Sequence, residues 1–138
     1  MADWMTDRIT VVPLDMSEFS LSALETARGL VNDISTIRIV HVLPPLDRAT
    51  LNYEHRDAQT RAAMSAFIQE YGNPKMDISI LTGDPVKQII KFAEENAAGL
   101  IVIPSHGRGV ITEMLLGSTT YSVVRRAPCP VLVIKPKK

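Results

Sequence analysis

The sequence predicts an α/β domain built on an open parallel sheet of five strands with helices on both faces. Short apolar runs rich in β-branched residues alternate with longer segments whose apolar residues recur at helical spacing. A chain that alternates strands and helices in this way forms a parallel sheet, because each helix returns the chain to the edge where the next strand starts. The 138 residues contain no repeat, linker or low-complexity segment, so we expect one domain over residues 1–138.

The first third of the chain predicts two strands and one helix. Residues 9–14 form an apolar run that ends at Asp15. Ser17 is suited to cap the helix that follows, because a serine oxygen accepts a hydrogen bond from a free N–H of the first turn. Residues 36–42 form the second strand, and Pro44 stops it because proline donates no ladder hydrogen bond.

The middle of the chain predicts a long helix, a strand and the start of a third helix. Residues 53–71 are compatible with one helix, which the Gly-Asn-Pro sequence at 72–74 ends. Residues 76–81 alternate as a third strand. Asp84 follows as an N-cap and Pro85 as the first helical residue. Proline suits that position because the N–H that it lacks would have no partner within the helix.

The last third of the chain contains a connection of unusual length. Gly99 is expected to end the third helix, and residues 100–104 are a strand buried on both faces. Residues 118–126 predict the last helix, and residues 131–134 the last strand. The connection at 105–116 is far longer than the ~2–6 residues usual between a strand and a helix, which indicates a function.

The chemistry of this connection favours a phosphate site. Gly107 and Gly117 allow the backbone to turn sharply and approach a ligand closely. Ser118 is placed as an N-cap, and free N–H groups at a helix start attract anions. Thr119 and Thr120 are either further donors or exposed first-turn residues. The alternative is that these residues only shape a loop and cap a helix.

These residues resemble the universal stress protein family. The resemblance is carried by Ser-His-Gly-Arg at 105–108, by Gly-Ser at 117–118 and by the Arg-Arg-Ala-Pro-Cys-Pro-Val-Leu-Val-Ile sequence at 125–134. Nucleotide-binding members of that family carry Gly, two residues, Gly, nine residues, then Gly followed by Ser or Thr. Gly107 and Gly117 match the second and third glycines, and Pro104 stands in place of the first.

The resemblance covers nearly the whole chain and implies a Rossmann-like sheet, of the adenine nucleotide alpha hydrolase-like type, with strand order 3-2-1-4-5. Strands one and four are then neighbours, at the kind of switch point where open α/β sheets bind ligands. The resemblance gives Asp15 the role of accepting hydrogen bonds from ribose hydroxyls, although an aspartate after a strand is also common in turns. The expected nucleotide-binding residues are Pro13, Leu14, Asp15, Val42, Ile103, Pro104, Gly107, Arg108, Gly117, Ser118, Thr119 and Thr120.

Pro104 leaves two outcomes open for this site. Proline fixes φ, adds a ring and has no N–H to donate. If a ligand needs that N–H or that space, binding is weakened or lost. If only the later glycines hold the phosphates, little changes. The first outcome favours a nucleotide-free dimeric stress protein that acts through protein partners.

The net charge, the cysteine count and the motifs that are missing argue against several other classes of protein. Fifteen basic and fifteen acidic residues give zero net charge, so we expect no nucleic-acid or anionic-membrane partner. A single cysteine, Cys129, and the lack of a signal peptide or membrane span favour the cytoplasm. No phosphate-binding GxxxxGK[ST] sequence, metal-ligand spacing or nucleophile–base pair is visible.

The expected function is therefore a stress-response module that binds ATP or another adenine nucleotide, without efficient catalysis. Mg²⁺ is expected only beside a triphosphate, and a slow ATPase or phosphotransferase is the enzymatic alternative. Residues 131–134 would lie at an edge of the sheet, where unpaired backbone groups invite a second copy. Family members commonly dimerise through this strand, although flanking prolines and lysines also protect an edge. We expect a homodimer.

Overall fold

The computed structural model describes residues 8–15, 18–45, 53–71, 73, 75–106 and 116–135. Five parallel strands form one sheet in the order β3-β2-β1-β4-β5. The elements in chain order are β1 (Thr10–Pro13), α1 (Glu18–Leu30), a 3₁₀ helix (Ile34–Thr36), β2 (Ile37–Leu43), α2 (Tyr53–Tyr71), β3 (Asp77–Thr82), α3 (Pro85–Glu95), β4 (Leu100–Pro104), α4 (Ser118–Arg126) and β5 (Val131–Ile134). The predicted strand order and element types are confirmed.

Helices cover both faces of the sheet, as predicted. On one face, Leu24 of α1 and Met64 of α2 are fully buried in a core that also contains Ile39 of β2. On the other face, Ile89 of α3 and Val123 of α4 pack in a second core. All residues of β1 and β4 are buried, which explains why these two strands are continuous apolar runs in the sequence.

The pairing between the two central strands is short. β1 pairs with β2 along its whole length, from Thr10 to Pro13. It pairs with β4 only through Thr10 with Leu100 and Val11 with Ile101. Beyond these two pairs, the described residues form no further register between β1 and β4.

One local detail before β2 differs from the sequence prediction. A 3₁₀ helix precedes β2 and was not predicted; Asp33 caps it by accepting a hydrogen bond from the Ser35 N–H. Hydrogen bonds from Ser35 hold the pKa of the Asp33 carboxyl below its usual value. The predicted caps at Ser17 and at residues 72 and 74 lie outside the described residues.

Helix α3 begins as predicted and ends earlier than predicted. The Asp84 carboxylate accepts a hydrogen bond from the Lys87 N–H at 3.0 Å, and Pro85 is the first helical residue. The helix ends at Glu95, so the prediction that Gly99 ends it is wrong. Ala97 instead adopts a left-handed conformation with φ 49°.

The turn after α3 is a Schellman motif with alanine where glycine is usual. The N–H of Ala97 donates to Glu94 O, and the N–H of Ala98 donates to Ala93 O at 2.9 Å. A left-handed conformation costs a residue with a Cβ roughly 1 kcal/mol, because Cβ approaches the following carbonyl. The two capping hydrogen bonds hold the strained residue in place.

We expect Ala97→Gly to raise the free energy of unfolding by about 0.5–1 kcal/mol, because glycine adopts this φ without strain. Ala98→Gly is the matched control. Ala98 is buried and has an ordinary φ, so its replacement is expected to lower stability by about 1–2 kcal/mol. Urea denaturation followed by circular dichroism measures both. A destabilised Ala97→Gly variant would contradict the role given to this turn.

Candidate functional site

A cavity of about 330 Å³ lies at the carboxyl ends of the strands, beyond the last paired residues of β1 and β4. This volume is in the range of small-molecule sites. The ends of β1, β2 and β4 and the starts of α3 and α4 form its walls. The lining residues are Pro13, Leu14, Asp15, Ser20, Val40, His41, Val42, Pro85, Ile89, Ile103, Pro104, Gly117, Ser118, Thr119 and Thr120.

The structure brings the predicted site residues together. Every one of them lines the cavity except Gly107 and Arg108, which lie outside the described residues. Asp15 and Ser118 are far apart in the sequence, and the adjacency of β1 and β4 places both at one opening. Their roles toward a ligand remain predictions.

Asp15 is held at the cavity by a buried serine of α1. The Ser20 hydroxyl donates to Asp15 Oδ1 at 2.5 Å and accepts a hydrogen bond from the Asp15 N–H at 2.9 Å. Ser20 is fully buried, so this reciprocal pair fixes both the backbone and the carboxylate of Asp15. A short, charge-assisted hydrogen bond of this kind is among the stronger ones in proteins.

His41 fixes the adjacent residue from the side of β2. Its Nδ1 lies 2.6 Å from the Leu14 carbonyl oxygen. A carbonyl only accepts, so Nδ1 carries a proton and donates it to this oxygen. The Leu14 N–H in turn donates to Val40 O at 2.8 Å. The segment Leu14–Asp15 is thus held by β2 on one side and by Ser20 of α1 on the other.

The start of α4 forms the opposite wall. The first intrahelical hydrogen bond runs from the Tyr121 N–H to Gly117 O at 2.9 Å. The N–H groups of Ser118, Thr119 and Thr120 come before it and therefore have no acceptor within the helix. Gly117 is the N-cap and supplies no side-chain cap. The prediction that Ser118 caps the helix is wrong: Ser118 is the first helical residue, and it is exposed.

Thr120 has a structural bond that sequence reasoning did not foresee. Its side chain is buried, and its hydroxyl donates to the Pro104 carbonyl at 2.8 Å. This hydrogen bond ties the first turn of α4 to the end of β4. The hydroxyl proton of Thr120 is therefore donated within the protein. Of the side-chain donors predicted for this wall, the hydroxyls of Ser118 and Thr119 remain.

Gly117 lies at a close approach between two backbone segments. Its N–H donates to Ser105 O at 2.8 Å. A Cβ added to Gly117 would lie 3.2 Å from His106 Cα and 3.3 Å from His106 Cβ, inside ordinary contact distances. His106 is buried, and its Nδ1 lies 3.0 Å from the Ser105 hydroxyl. The glycine therefore lets α4 start directly against the end of β4.

Comparison with known proteins identifies the family. A model of the universal stress protein family matches residues 5–135. The chain belongs to the universal stress protein family. It is 33% identical over 143 residues to the universal stress protein MJ0531 of Methanocaldococcus jannaschii, covering 93% of this chain and 82% of that protein. It is also 33% identical over 141 residues to universal stress protein G of Escherichia coli O157:H7, covering 91% of this chain and 96% of that one.

A solved structure agrees with the fold of this universal stress protein. The structure of the universal stress protein from Archaeoglobus fulgidus in complex with dAMP superimposes with a TM-score of 0.64. The two chains are 26% identical, and the superposition covers 95% of this chain and 100% of that chain. The likeness extends over the whole sheet and the helices around it.

Sequence reasoning missed the cavity residues Ser20, Val40, His41, Pro85 and Ile89. Two of them carried a usable signal. Ser20 lies on the buried stripe of α1 that also contains Ala23, Leu24 and Ala27, and a polar residue on such a stripe needs a partner. His41 shares a strand face with Ile37 and Ile39, so it too required a hydrogen-bond partner.

The described residues give no separate metal or membrane site. Among them no group of three or more His, Cys, Asp or Glu side chains is arranged to hold a metal ion. No helix in the described ranges is long and apolar enough to cross a membrane. Burial raises the pKa of the Cys129 thiol, so the reactive thiolate is disfavoured.

We expect Gly117→Ala to destabilise this universal stress protein by about 1–3 kcal/mol, because the new methyl group meets the His106 backbone. Gly29→Ala is the control. Gly29 lies in α1 with nothing within 4 Å of an added Cβ, so alanine there is expected to stabilise by about 0.5 kcal/mol. Thermal denaturation of the two variants tests this contrast. Equal effects on unfolding would disprove the packing role of Gly117.

Proposed function

We propose that this universal stress protein binds an adenine nucleotide in the cavity between β1 and β4. One observation carries the proposal: the Asp15 carboxylate and the N-terminus of α4 line the same cavity. A carboxylate accepts hydrogen bonds from ribose hydroxyls, and a helix N-terminus attracts phosphate. The Archaeoglobus fulgidus relative in complex with dAMP supports this choice of ligand.

The remaining lining suits a purine base. Val40, Val42, Pro85 and Ile89 supply an apolar wall on the β2 and α3 side of the cavity. An aromatic base gains from apolar contact while its polar edge reaches backbone groups. We assign the base to this wall, the ribose to Asp15, and the phosphates to the N–H groups at the start of α4.

The proposed activity is binding, with nucleotide occupancy biasing the conformation or assembly of a stress-response module in the cytoplasm. The residues present fit the nucleotide through one carboxylate and the N–H groups of one helix start. Mg²⁺ would accompany a triphosphate and be held mainly by phosphate oxygens, as is usual for this ion. Binding in this way requires no catalytic residue.

We expect Asp15→Asn to weaken AMP and ATP binding by roughly tenfold or more, because a charged acceptor for the ribose hydroxyls is lost. Asp57→Asn is the matched control, since Asp57 is exposed on α2 and is not among the residues that line the cavity. Isothermal titration calorimetry of the wild type and both variants gives the affinities.

Mass spectrometry of small molecules released on denaturation gives an independent test of nucleotide binding. Co-purified adenine nucleotide, reduced in Asp15→Asn, would agree with the titrations. A wild-type protein that releases no nucleotide and binds none at millimolar concentration would disprove the proposal and favour a nucleotide-free stress protein acting through protein partners. Phosphate release by pure protein, lost in Asp15→Asn, would instead establish the slow ATPase.

We further propose a homodimer through the outer edge of β5. β5 is at the end of the sheet, and Leu132 is 36% exposed there. The Ile101 and Ser105 N–H groups donate to the carbonyls of Pro130 and Ile134. Because successive residues of a strand face opposite neighbours, Val131 and Val133 direct their backbone groups to the outer edge. These groups are available to pair with a second copy.

We expect Val133→Pro to be monomeric, because it removes an outward N–H while the hydrogen bonds to β4 are kept. Val133→Ala keeps that N–H and is expected to remain dimeric. Sedimentation velocity across a range of concentrations measures the state of each, with circular dichroism to check folding. A folded, dimeric Val133→Pro protein would place the interface elsewhere.

A further inference from the structure

Proline borders the opening between β1 and β4 on both strands. The Leu14 N–H donates to β2, so the preceding nitrogen, that of Pro13, faces β4. The Ser105 N–H donates to β5, so the nitrogen of Pro104 faces β1. If the register of Val11 with Ile101 continued, these two nitrogens would supply the next two hydrogen bonds of the ladder. Neither of them carries a hydrogen.

Several donors of the described residues around this opening are already used. The hydroxyls of Ser20 and Thr120 donate to Asp15 and to Pro104 O. The neighbouring backbone N–H groups also have protein acceptors. These are Val40 O for Leu14, the Ser20 hydroxyl for Asp15, Ile134 O for Ser105 and Ser105 O for Gly117.

What this opening presents is a set of acceptors. The Pro13 carbonyl points to the same side as its nitrogen, toward β4. The Asp15 carboxylate, two residues further on, lines the same cavity. Hydroxyl groups find acceptors at such a wall, whereas an anion there faces a carboxylate. The N–H groups at the start of α4 lie on the opposite wall.

We propose that this site selects adenine nucleotides with free 2′ and 3′ hydroxyls and a 5′ phosphate over 3′,5′-cyclic nucleotides. The inference rests on the proposed nucleotide function and on the ribose facing Asp15. A free diol donates two hydrogen bonds to the acceptor wall. In a 3′,5′-cyclic nucleotide the 3′ oxygen is esterified, and its phosphate brings a negative charge to that wall. Pro104 is the residue that keeps a backbone donor out of it.

Competition titrations with AMP, 2′-dAMP and cyclic AMP test the selection in the wild-type protein. We expect AMP to bind about tenfold or more tightly than cyclic AMP, because one or two hydrogen bonds to a charged acceptor are lost and an anion is added. The 2′-deoxy nucleotide, which lacks one donor, is expected to lie between the two. Equal affinity for AMP and cyclic AMP would overturn the inference while leaving the proposed function intact.

Pro104→Gly tests the residue assigned to the selection. Glycine restores an N–H that faces the opening, so the affinity for cyclic AMP is expected to gain about fivefold or more relative to the affinity for AMP. Pro128→Gly, on the exposed turn before β5, controls for the general effect of losing a proline and should leave the ratio unchanged. An unchanged ratio in folded Pro104→Gly would overturn the role of Pro104.

A second variant keeps the test independent of the folding of Pro104→Gly. Asp15→Asn replaces one acceptor oxygen by an amide donor, so it is expected to narrow the ratio of AMP to cyclic AMP affinity even as AMP binding weakens. A ratio that stays at the wild-type value would contradict the acceptor wall. Failure of the wild type to bind any of the three nucleotides would disprove the proposed function and this selection together.

Discussion

The short pairing of β1 with β4 is the constraint on which the site depends. Two residue pairs join these strands, and then Pro13 and Pro104 withhold the next two donors of the ladder. Proline inside a sheet normally leaves a neighbour unpaired. Here both prolines lie beyond the last paired residues of the two central strands, and the described N–H groups of Leu14, Asp15 and Ser105 have acceptors in the protein. The same two residues that end the pairing therefore make room for the cavity.

The polarity of the cavity follows from how the surrounding donors are used. Ser20 and His41 fix the Asp15 segment and use their own protons in doing so. Thr120 ties α4 to β4 in the same way. These hydrogen bonds leave acceptors near the strand ends and N–H groups at the helix start. A nucleotide, which carries hydroxyl donors at one end of the sugar and an anion at the other, complements both walls.

At two turns, the residue that takes a special backbone position is not the one that its residue type would suggest. Gly117 is an N-cap without a side chain, because the His106 backbone occupies the space that a Cβ would need. Ala97 takes the left-handed position after α3, although Gly99 is only two residues away. In both turns contacts with the rest of the fold decide which residue stands at which position. Local propensity alone would have favoured serine for the first turn and glycine for the second.

The sequence by itself determined the α/β class, the helices and strands to within a few residues, the family, and most residues of the candidate site. Periodicity and turn chemistry are local, and the carboxyl ends of parallel strands always meet at one edge. Only the tertiary structure decided the partners of Ser20, His41 and Thr120, and with them the split between donors and acceptors. It also placed the nitrogens of Pro13 and Pro104 on the two sides of one opening. Such contacts join elements distant in sequence, and their geometry depends on the packing of the whole sheet.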